Sequence, residues 1–287
     1  FTGGSRRRGM IQDIGEHTFD NQYHPCPPDR ESYALYYEDH AALVRKYPDR
    51  IEFPKFRDIE RLNEDIYEDA VYLFSIDGER YYLVEEINRE RQSHFTMENT
   101  EIFRYAEPQY LAFAGITGYQ LHNWYQSRRF CGKCGRRMKK DSKERMLYCE
   151  SCHNMEFPKI CPAVIIGVTD GDKILMSKYA GRTYKKYALL AGFTEIGETL
   201  EETVQREVME EVGLKVKNIR YYKSQPWSFT DTLLMGFYCD LDGEAAITLD
   251  REELAMAEWF QRDEIPVEPE RDSITNEMII RFKNGEV

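Results

Sequence analysis

The pattern of apolar and polar residues predicts an acidic helix in the C-terminal half of the chain. At about 100° per residue, one apolar arc is formed by Leu200, Val204, Val208 and Val212. Glu207 and Glu211 fall at the edge of this arc, and Glu210 lies next to them. Ionised carboxylates beside a core stripe are costly unless a cation compensates them. The cluster is therefore either a site for a hard divalent cation such as Mg²⁺ or Mn²⁺, or a solvated acidic helix face.

Signals at both ends delimit this helix. Thr199 followed three residues later by Glu202 is a capping box, which starts a helix. Gly213 is placed to end it in the left-handed conformation. The segment before Thr199 begins at Gly192 and is predicted to be a loop, so a loop–helix unit runs from Gly192 to Leu214.

The residues around this unit alternate in the manner of β-strands. Strands are predicted at residues 163–169, 173–178, 187–191, 216–224, 233–241 and 257–260, and a closing amphipathic helix at 273–284. Between two of the strands lies an aromatic and polar loop, residues 225–232. This order of elements indicates an α/β/α sandwich with a mixed sheet over residues 157–287.

The N-terminal part, residues 10–128, is predicted to be an α+β domain. Residues 71–86 form two apolar-aromatic strands around the turn dipeptide Asp77-Gly78. Helical spacing is present at residues 32–47 and 109–125. The predicted core positions of the second helix are Leu111, Ala114, Leu121 and Trp124. Residues 1–9, which precede Met10, differ from the rest of the chain and are interpreted as an expression remnant.

Two Cys-x-x-Cys pairs between these parts predict a zinc ribbon over residues 129–156. The cysteines are Cys131, Cys134, Cys149 and Cys152. Four thiolates make a closed tetrahedral site, so the zinc is expected to be structural. The alternative is a redox dithiol. A locally basic cluster comprises Arg128, Arg129, Arg136, Arg137, Lys139 and Lys140.

Composition limits the function classes. A net charge of -12 argues against a general nucleic-acid-binding surface, although bound metals allow an acidic protein to handle phosphates. No apolar run approaches the roughly 20 residues that span a bilayer, so no membrane partner is expected. Paired cysteines indicate metal binding in a reducing compartment, and the cytoplasm is the expected location.

The loop–helix unit resembles the Nudix box, in which defined residues occur at fixed spacing over 23 positions. Those positions are filled here by Gly192, Glu198, Arg206, Glu207, Val208, Glu210, Glu211, Gly213 and Leu214. Downstream, Ser224-Gln225-Pro226-Trp227 resembles a motif of the NADH pyrophosphatase branch of the Nudix hydrolases, which also carries a four-cysteine ribbon before the catalytic domain.

This resemblance implies an α+β chain with a Nudix sandwich that hydrolyses NAD(H) to nicotinamide mononucleotide and AMP. It also implies removal of NAD caps from RNA, and a homodimer with composite sites. Glu207, Glu210 and Glu211 are the implied catalytic residues and, together with Glu253, the implied ligands of Mg²⁺ or Mn²⁺. Glu198 and Arg206 are expected to hold the loop–helix geometry through an ion pair.

The resemblance further implies a set of substrate contacts. Phe193 matches an aromatic residue that stacks on a base of the substrate. Phe157 matches a position whose side chain reaches the partner subunit's site. Thr275, near the start of the last helix, matches a position whose backbone contacts the substrate. Arg104 matches an arginine of the N-terminal domain. The remaining contacts are implied for the loop residues Gln225, Pro226, Trp227, Ser228, Phe229, Thr230, Asp231 and Thr232.

The chain departs from the family pattern in that loop, where Ser228-Phe229-Thr230 replaces a segment with two prolines. Fewer fixed φ angles should change the shape or mobility of the loop, and with it the substrate preference.

Two other functions are alternatives to hydrolysis of NAD(H). One is a Nudix hydrolase of another nucleoside diphosphate derivative, such as ADP-ribose or a dinucleoside polyphosphate. The other is a non-catalytic nucleotide sensor, against which the complete set of box carboxylates argues.

Overall fold

The computed structural model describes residues 9–88, 94–181, 186–270 and 273–287, which form two compact units. The N-terminal unit comprises Ile11–Lys159 together with Ser228–Thr230. The C-terminal unit comprises Met10, Ile160–Trp227 and Asp231–Val287. Residues 1–8 of the expected expression remnant lie outside the described residues.

Before the cysteine-rich segment, the described residues of the N-terminal unit form two small sheets and two α-helices. Its strands are β1 (Phe19–Asp20), β2 (Tyr33–Leu35), β3 (Tyr37–Glu38), β4 (Ala41–Lys46), β5 (Ile51–Glu52), β6 (Val71–Ile76), β7 (Glu79–Leu83) and β8 (Thr96–Asn99). Its helices are α1 (Phe56–Ile59) and α2 (Gln109–Ser127), with a 3-10 helix at Thr100–Arg104. One sheet has the order β1-β6-β7-β2, and in the other β4 pairs with β3, β5 and β8.

The predicted hairpin and the second predicted helix are confirmed. β6 and β7 pair antiparallel around Asp77-Gly78, where both residues have positive φ. α2 covers residues 109–127, and all four of its predicted core residues are buried.

The predicted helix at residues 32–47 is wrong, because this segment forms β2, β3 and β4. Asp39 has a φ of 51°, which places a tight turn between β3 and β4 in the middle of the segment. Tyr37 and Val44 are buried in the core that also contains α2, and tyrosine and valine are both common in strands. Pairing across the sheet therefore outweighed the helical spacing.

The cysteine-rich segment belongs to the N-terminal unit. It forms a three-stranded sheet in the order β11-β10-β9, from β9 (Lys139–Lys140), β10 (Leu147–Tyr148) and β11 (Met155–Glu156). Met138 and Leu147 are buried in the same core as α2. Folding of this segment is thus coupled to packing of the N-terminal core.

The C-terminal unit is a six-stranded sheet between two helices. Its elements are β12 (Cys161–Asp170), β13 (Lys173–Tyr179), β14 (Leu190–Phe193), α3 (Leu200–Val212), β15 (Val216–Trp227), β16 (Thr232–Leu241), β17 (Leu254–Gln261), a 3-10 turn (Arg262–Glu264) and α4 (Ile274–Lys283). The strand order is β15-β16-β12-β13-β17, with β14 paired to β12. β12 and β16 are parallel and the other pairs antiparallel, so the sheet is mixed.

The two helices cover opposite faces of this sheet. Val164 and Ile166 of β12 pack with Val204 and Val208 of α3. The intervening residue, Ile165, packs in the cluster that contains α4. Because successive strand residues point to opposite faces, the predicted α/β/α sandwich is confirmed.

The predicted ends of α3 are also confirmed. The Thr199 hydroxyl accepts a hydrogen bond from the Glu202 N–H at 3.2 Å, and the Glu202 carboxylate accepts one from the Thr199 N–H at 2.7 Å. Gly213 ends the helix with a φ of 69°. The strand predicted at 187–191 occurs as β14, slightly later in the chain. Among the described residues, no helix is long and apolar enough to cross a membrane.

Candidate active site

Two carboxylates of α3 are buried at the edge of the apolar core, as the sequence predicted. Glu207 is 8% exposed and Glu211 is 2% exposed. Burial raises the pKa of Glu207, Arg206 opposes that shift, and the charges of Glu210 and Glu253 raise the pKa further. Mutual repulsion of this kind requires that Glu207, Glu210 and Glu253 be close enough to interact.

Arg206 holds the carboxylates and the preceding loop together. Its Nε donates to Glu198 Oε1 at 2.5 Å, and its Nη1 donates to Glu207 Oε1 at 2.7 Å and to Glu210 Oε2 at 3.0 Å. The guanidinium, helped by the Glu195 N–H, lowers the pKa of Glu198 to about 2. The expected ion pair of Glu198 with Arg206 is present, and it is one part of a larger network.

Arg206 also contacts the strand that carries the predicted stacking residue. Its Nη2 donates to the backbone carbonyl of Phe193 at 2.9 Å. The Phe193 side chain is 57% exposed at the end of β14. The same guanidinium therefore fixes both the acidic cluster and the backbone beneath an exposed aromatic ring.

Gly192 leaves the space that Glu207 occupies. A Cβ at this position would lie 1.9 Å from the Glu207 Cδ and 2.1 Å from its Oε1. No side chain can be accommodated there unless Glu207 moves. The first glycine of the predicted loop–helix unit is thus required by close contact and not by an unusual φ angle.

Glu253 is brought to the cluster by backbone contacts with the end of α3. The Asp250 N–H donates to the Glu211 carbonyl and the Thr248 N–H to the Val212 carbonyl, both at 2.9 Å. These bonds satisfy carbonyl groups that a helix C-terminus leaves free. The carbonyl of Glu253 accepts from the Ala180 N–H at 2.9 Å, which fixes this residue beside β13.

The cluster fits a divalent cation by charge and by donor chemistry. Glu198, Glu207 and Glu210 share the single guanidinium of Arg206, which leaves a net charge of about -2 when all three are ionised. The donors are all carboxylate oxygens, which suit Mg²⁺ or Mn²⁺. Within the described ranges, the carboxylates do not converge as tightly as the cysteine thiols do, since Arg206 bridges them.

The four cysteines form a structural metal site. Their sulfur atoms all lie within 4.8 Å of one another, with Cys131 Sγ 3.5 Å from Cys152 Sγ and Cys134 Sγ 3.4 Å from Cys149 Sγ. Thiolates at this spacing are the ligands of a tetrahedral zinc site with no open position.

The two cysteine turns have the same backbone design. In the first, the Cys131 N–H donates to the Arg136 carbonyl, and the Gly135 N–H donates to the Cys131 carbonyl. The second repeats both bonds at Cys149 and His153. Gly135 has a φ of 74° and His153 a φ of 59°, so both turns need a left-handed residue at the same place. Sequence reasoning missed His153; its position after Cys152, equivalent to Gly135 after Cys134, was the available signal.

The predicted substrate contacts of the C-terminal unit differ in exposure. Gln225 is 0% exposed and Thr232 is 4% exposed, whereas Pro226 lies on the surface. The Gln225 side-chain carbonyl accepts a hydrogen bond from the Ile274 N–H at 2.9 Å. Thr275 follows directly, in the first turn of α4. The predicted loop at 225–232 is wrong in its extent, because Gln225, Pro226 and Trp227 belong to β15 and pair with the start of β16 at Thr232. Asp231 has a φ of 56° in the short turn between the two strands.

The other predicted contacts belong to the N-terminal unit. Phe157 is 56% exposed. Arg104 lies over the ring of Phe229, with its Cζ 4.6 Å from the ring centroid, and it also forms an ion pair with Glu101 at 2.6 Å. Ser228 is buried, while Thr230 is exposed. The segment Ser228–Thr230, which lacks the prolines of the family pattern, is thus held by an aromatic contact at Phe229.

Comparison with known families decides the assignment of the C-terminal unit. A family model described as the NUDIX domain matches residues 159–282. The chain contains a Nudix domain. A second model, described as the NADH pyrophosphatase zinc ribbon domain, matches residues 126–157, immediately before the Nudix domain. The two matches confirm the expected Nudix domain, the expected zinc ribbon of the NADH pyrophosphatase type and the order of the two domains.

Two relatives are similar over the ribbon and Nudix domain. One is the NAD-capped RNA hydrolase NudC of Photorhabdus laumondii subsp. laumondii, 41% identical over 162 residues, 56% of this chain and 63% of that protein. The other, also named NAD-capped RNA hydrolase NudC, is from an Enterobacter species and is 41% identical over 162 residues, 56% of this chain and 62% of that protein. The matched stretch thus spans less than two thirds of either relative.

One solved structure is similar to part of this chain. The crystal structure of a NUDIX hydrolase from Nitrosomonas europaea covers 54% of this chain and 90% of its own, with 24% sequence identity and a TM-score of 0.47.

Proposed function

We propose that this chain is a divalent-metal-dependent pyrophosphohydrolase that cleaves NAD(H) to nicotinamide mononucleotide and AMP. The observation that carries the proposal is the Arg206 network, which joins the buried carboxylates of α3 to the backbone of the exposed Phe193. The names of the two relatives, in which NAD-capped RNA is the substrate, support a substrate that contains NAD.

Glu207, Glu210, Glu211 and Glu253 would hold Mg²⁺ or Mn²⁺ at this site. The bound cation supplies screening of the pyrophosphate charge and acidification of a water. Arg206 keeps Glu207 and Glu210 oriented, and Glu198 keeps Arg206 oriented. One carboxylate of the cluster acts as the base that takes a proton from the attacking water.

Phe193 binds the substrate by stacking. Its ring is exposed, while its backbone is fixed by Arg206 and by pairing of β14 with β12. Stacking on an aromatic ring contributes about 1–3 kcal/mol per base without selecting its identity. Arg104, Phe157, Thr275 and residues 225–232 are proposed to complete the substrate contacts.

Glu211→Gln tests the metal-dependent reaction. The substitution preserves shape but removes the charge of a residue that is 2% exposed on α3. We expect Mg²⁺- or Mn²⁺-dependent hydrolysis of NADH to fall by at least about 100-fold, because a metal ligand is lost. Glu201→Gln, on the exposed first turn of the same helix, is the matched control and should keep full activity. Full turnover by Glu211→Gln would reject the assignment.

A substrate panel tests the preferred dinucleotide. NADH, NAD⁺, ADP-ribose, a dinucleoside polyphosphate and NAD-capped RNA are compared at equal Mn²⁺, with products identified by mass. We expect NADH or NAD⁺ to give the highest kcat/KM, with nicotinamide mononucleotide and AMP as products. A higher value for ADP-ribose would favour the alternative hydrolase, whereas tight binding without turnover of any substrate would favour a sensor.

Removal of NAD caps from RNA is the second proposed activity. The relatives' names support it, and so does the basic cluster of the ribbon, in which Arg137 is exposed. Replacing Arg137 by Gln should weaken turnover of capped RNA more than turnover of free NADH, because only the RNA presents further phosphates. Equal loss on both substrates would contradict a role in RNA binding.

We also propose a homodimer in a reducing compartment, the cytoplasm. The exposed Phe157 supports the first point, since an aromatic ring at this position is implied to reach the partner subunit's site. All seven cysteines lie in the described ranges and none of them forms a disulfide, which supports the second point. Sedimentation of the wild type and of Phe157→Ala measures the dimer directly, and a monomeric wild type would reject it.

A further inference from the structure

Gln225 has an unusual position for a predicted substrate contact. Its side chain is 0% exposed, near the end of β15, where Gln225 pairs with Leu234 of β16. A side chain in this position is shielded from any ligand that binds at the surface. A polar group buried so completely is expected to serve a hydrogen-bonded structure within the protein.

That structure is the first turn of α4. The Gln225 Oε1 accepts from the Ile274 N–H at 2.9 Å, and the hydroxyl of Ser273 accepts from the Asn276 N–H at 3.2 Å. These are two of the N–H groups that a helix start leaves without an intrahelical acceptor. Thr275 lies between them, so its N–H belongs to the same first turn of α4.

The start of α4 is also fixed by contacts on other sides. The Asn276 side chain donates to the Glu268 carbonyl at 2.9 Å and accepts from the Glu270 N–H at 2.8 Å, which ties the preceding segment to the helix. Gly236 of β16 lies directly beneath the helix, because a Cβ there would be 3.0 Å from the Ile274 Cδ1 and 2.8 Å from the Met278 Sδ. The turn that presents the Thr275 N–H is therefore held in one place.

We infer that Gln225 is a positioning residue. Its carbonyl fixes the first turn of α4, so that the neighbouring Thr275 N–H is directed at an acceptor of the bound dinucleotide. The motif residue contributes to substrate binding through the helix and not by touching the substrate. This inference rests on the proposed function, in which Thr275 supplies a backbone contact to the substrate.

Two substitutions at Gln225 separate this role from direct contact. Gln225→Met keeps the length of the side chain but removes the acceptor, whereas Gln225→Glu keeps an acceptor oxygen at the same length. Gln261→Met is the matched control, because Gln261 is exposed at the end of β17. The measurements are kcat and KM for NADH with Mn²⁺, and backbone amide exchange over residues 273–277.

With Gln225→Met we expect faster amide exchange at residues 273–277 and a KM raised about tenfold. A tenfold change in KM is comparable with the free energy that one hydrogen bond to a charged group contributes. kcat should change by less than about threefold, because the carboxylate cluster is untouched. Gln225→Glu should restore KM to within about threefold of the wild type, and Gln261→Met should change neither quantity.

Three outcomes would overturn the inference. One is a Gln225→Met variant that is less stable but has an unchanged KM, which would leave Gln225 a purely structural role. Another is a raised KM with unchanged exchange at residues 273–277, which would indicate direct contact with the substrate. The third is failure of Gln225→Glu to improve on Gln225→Met. Exchange does not depend on turnover, so an inactive wild type would reject the proposed function, while unchanged exchange in Gln225→Met would reject the inference.

Discussion

Replacement of Gly192 by alanine should disable the site by displacing Glu207. The added Cβ would lie 1.9 Å from the Glu207 Cδ, and ordinary contacts of this kind begin at about 3.4 Å. Either the carboxylate or β14 must therefore move by more than about 1 Å. Glu207 is held by Arg206 Nη1 at 2.7 Å, so its displacement also breaks that bond.

The expected magnitude follows from both effects. Overpacking of a buried site lowers the free energy of unfolding by about 1–3 kcal/mol. A displacement of 1 Å in a catalytic constellation reduces the rate by about 100-fold. We therefore expect a large fall in kcat/KM together with only a modest fall in the free energy of unfolding.

The assay compares kcat/KM for NADH with the free energy of unfolding in urea. Gly132→Ala is the matched control, because a Cβ there would meet nothing within 4 Å and the φ of Gly132 is not in the left-handed region. We expect the control to match the wild type in both measurements. Gly192→Ala with wild-type kcat/KM would refute the argument that Glu207 depends on the space left by this glycine.

Three further predictions concern stability and the metal site. The pKa of Glu198 is lowered from 4.5 to about 2, chiefly by Arg206, so the ionised carboxylate stabilises the folded state above pH 4.5, and this stabilisation is lost as the pH falls towards 2. The difference in Tm between the wild type and Glu198→Gln should therefore narrow between pH 4.5 and pH 2. A difference in Tm that stays constant over this range would contradict the prediction. Removal of zinc by a chelator should lower the Tm of the N-terminal unit, because the cysteine turns share a core with α2. Added Zn²⁺ should restore the original Tm. An unchanged Tm in protein shown to contain no zinc would contradict this prediction. His153→Gly should raise the free energy of unfolding by about 1 kcal/mol, because His153 has a φ of 59°, a conformation that costs less for glycine than for other residues. His153→Ala should not raise it. Equal effects of the two substitutions would exclude the backbone explanation.

Much of the C-terminal unit could be predicted because local signals and packing agree there. The capping box at Thr199, the C-cap at Gly213 and the apolar arc of α3 each point to the same helix, and the structure has it. Burial of Glu207 and Glu211 followed from their place on that arc. The cysteine spacing likewise predicted a group of four thiols that meet in space.

Other features depend on contacts that no local pattern contains. Residues 32–47 have helical spacing, yet pairing of β2 with β7 and of β4 with β8 makes them strands. The bond from the Ile274 N–H to Gln225 joins residues 49 positions apart, so only the fold reveals it. The same is true of Glu253, whose place at the cluster depends on backbone bonds to the end of α3.

The shared role of Arg206 limits how the proposed active site can be redesigned. One guanidinium supports the backbone of Phe193, the carboxylates of Glu207 and Glu210, and the loop through Glu198. Changes that alter the stacking strand to favour another base would also disturb the groups proposed to bind metal. Libraries aimed at a new substrate should therefore vary exposed positions outside this network, such as Pro226, and leave residues 192–211 and the buried Gln225 intact.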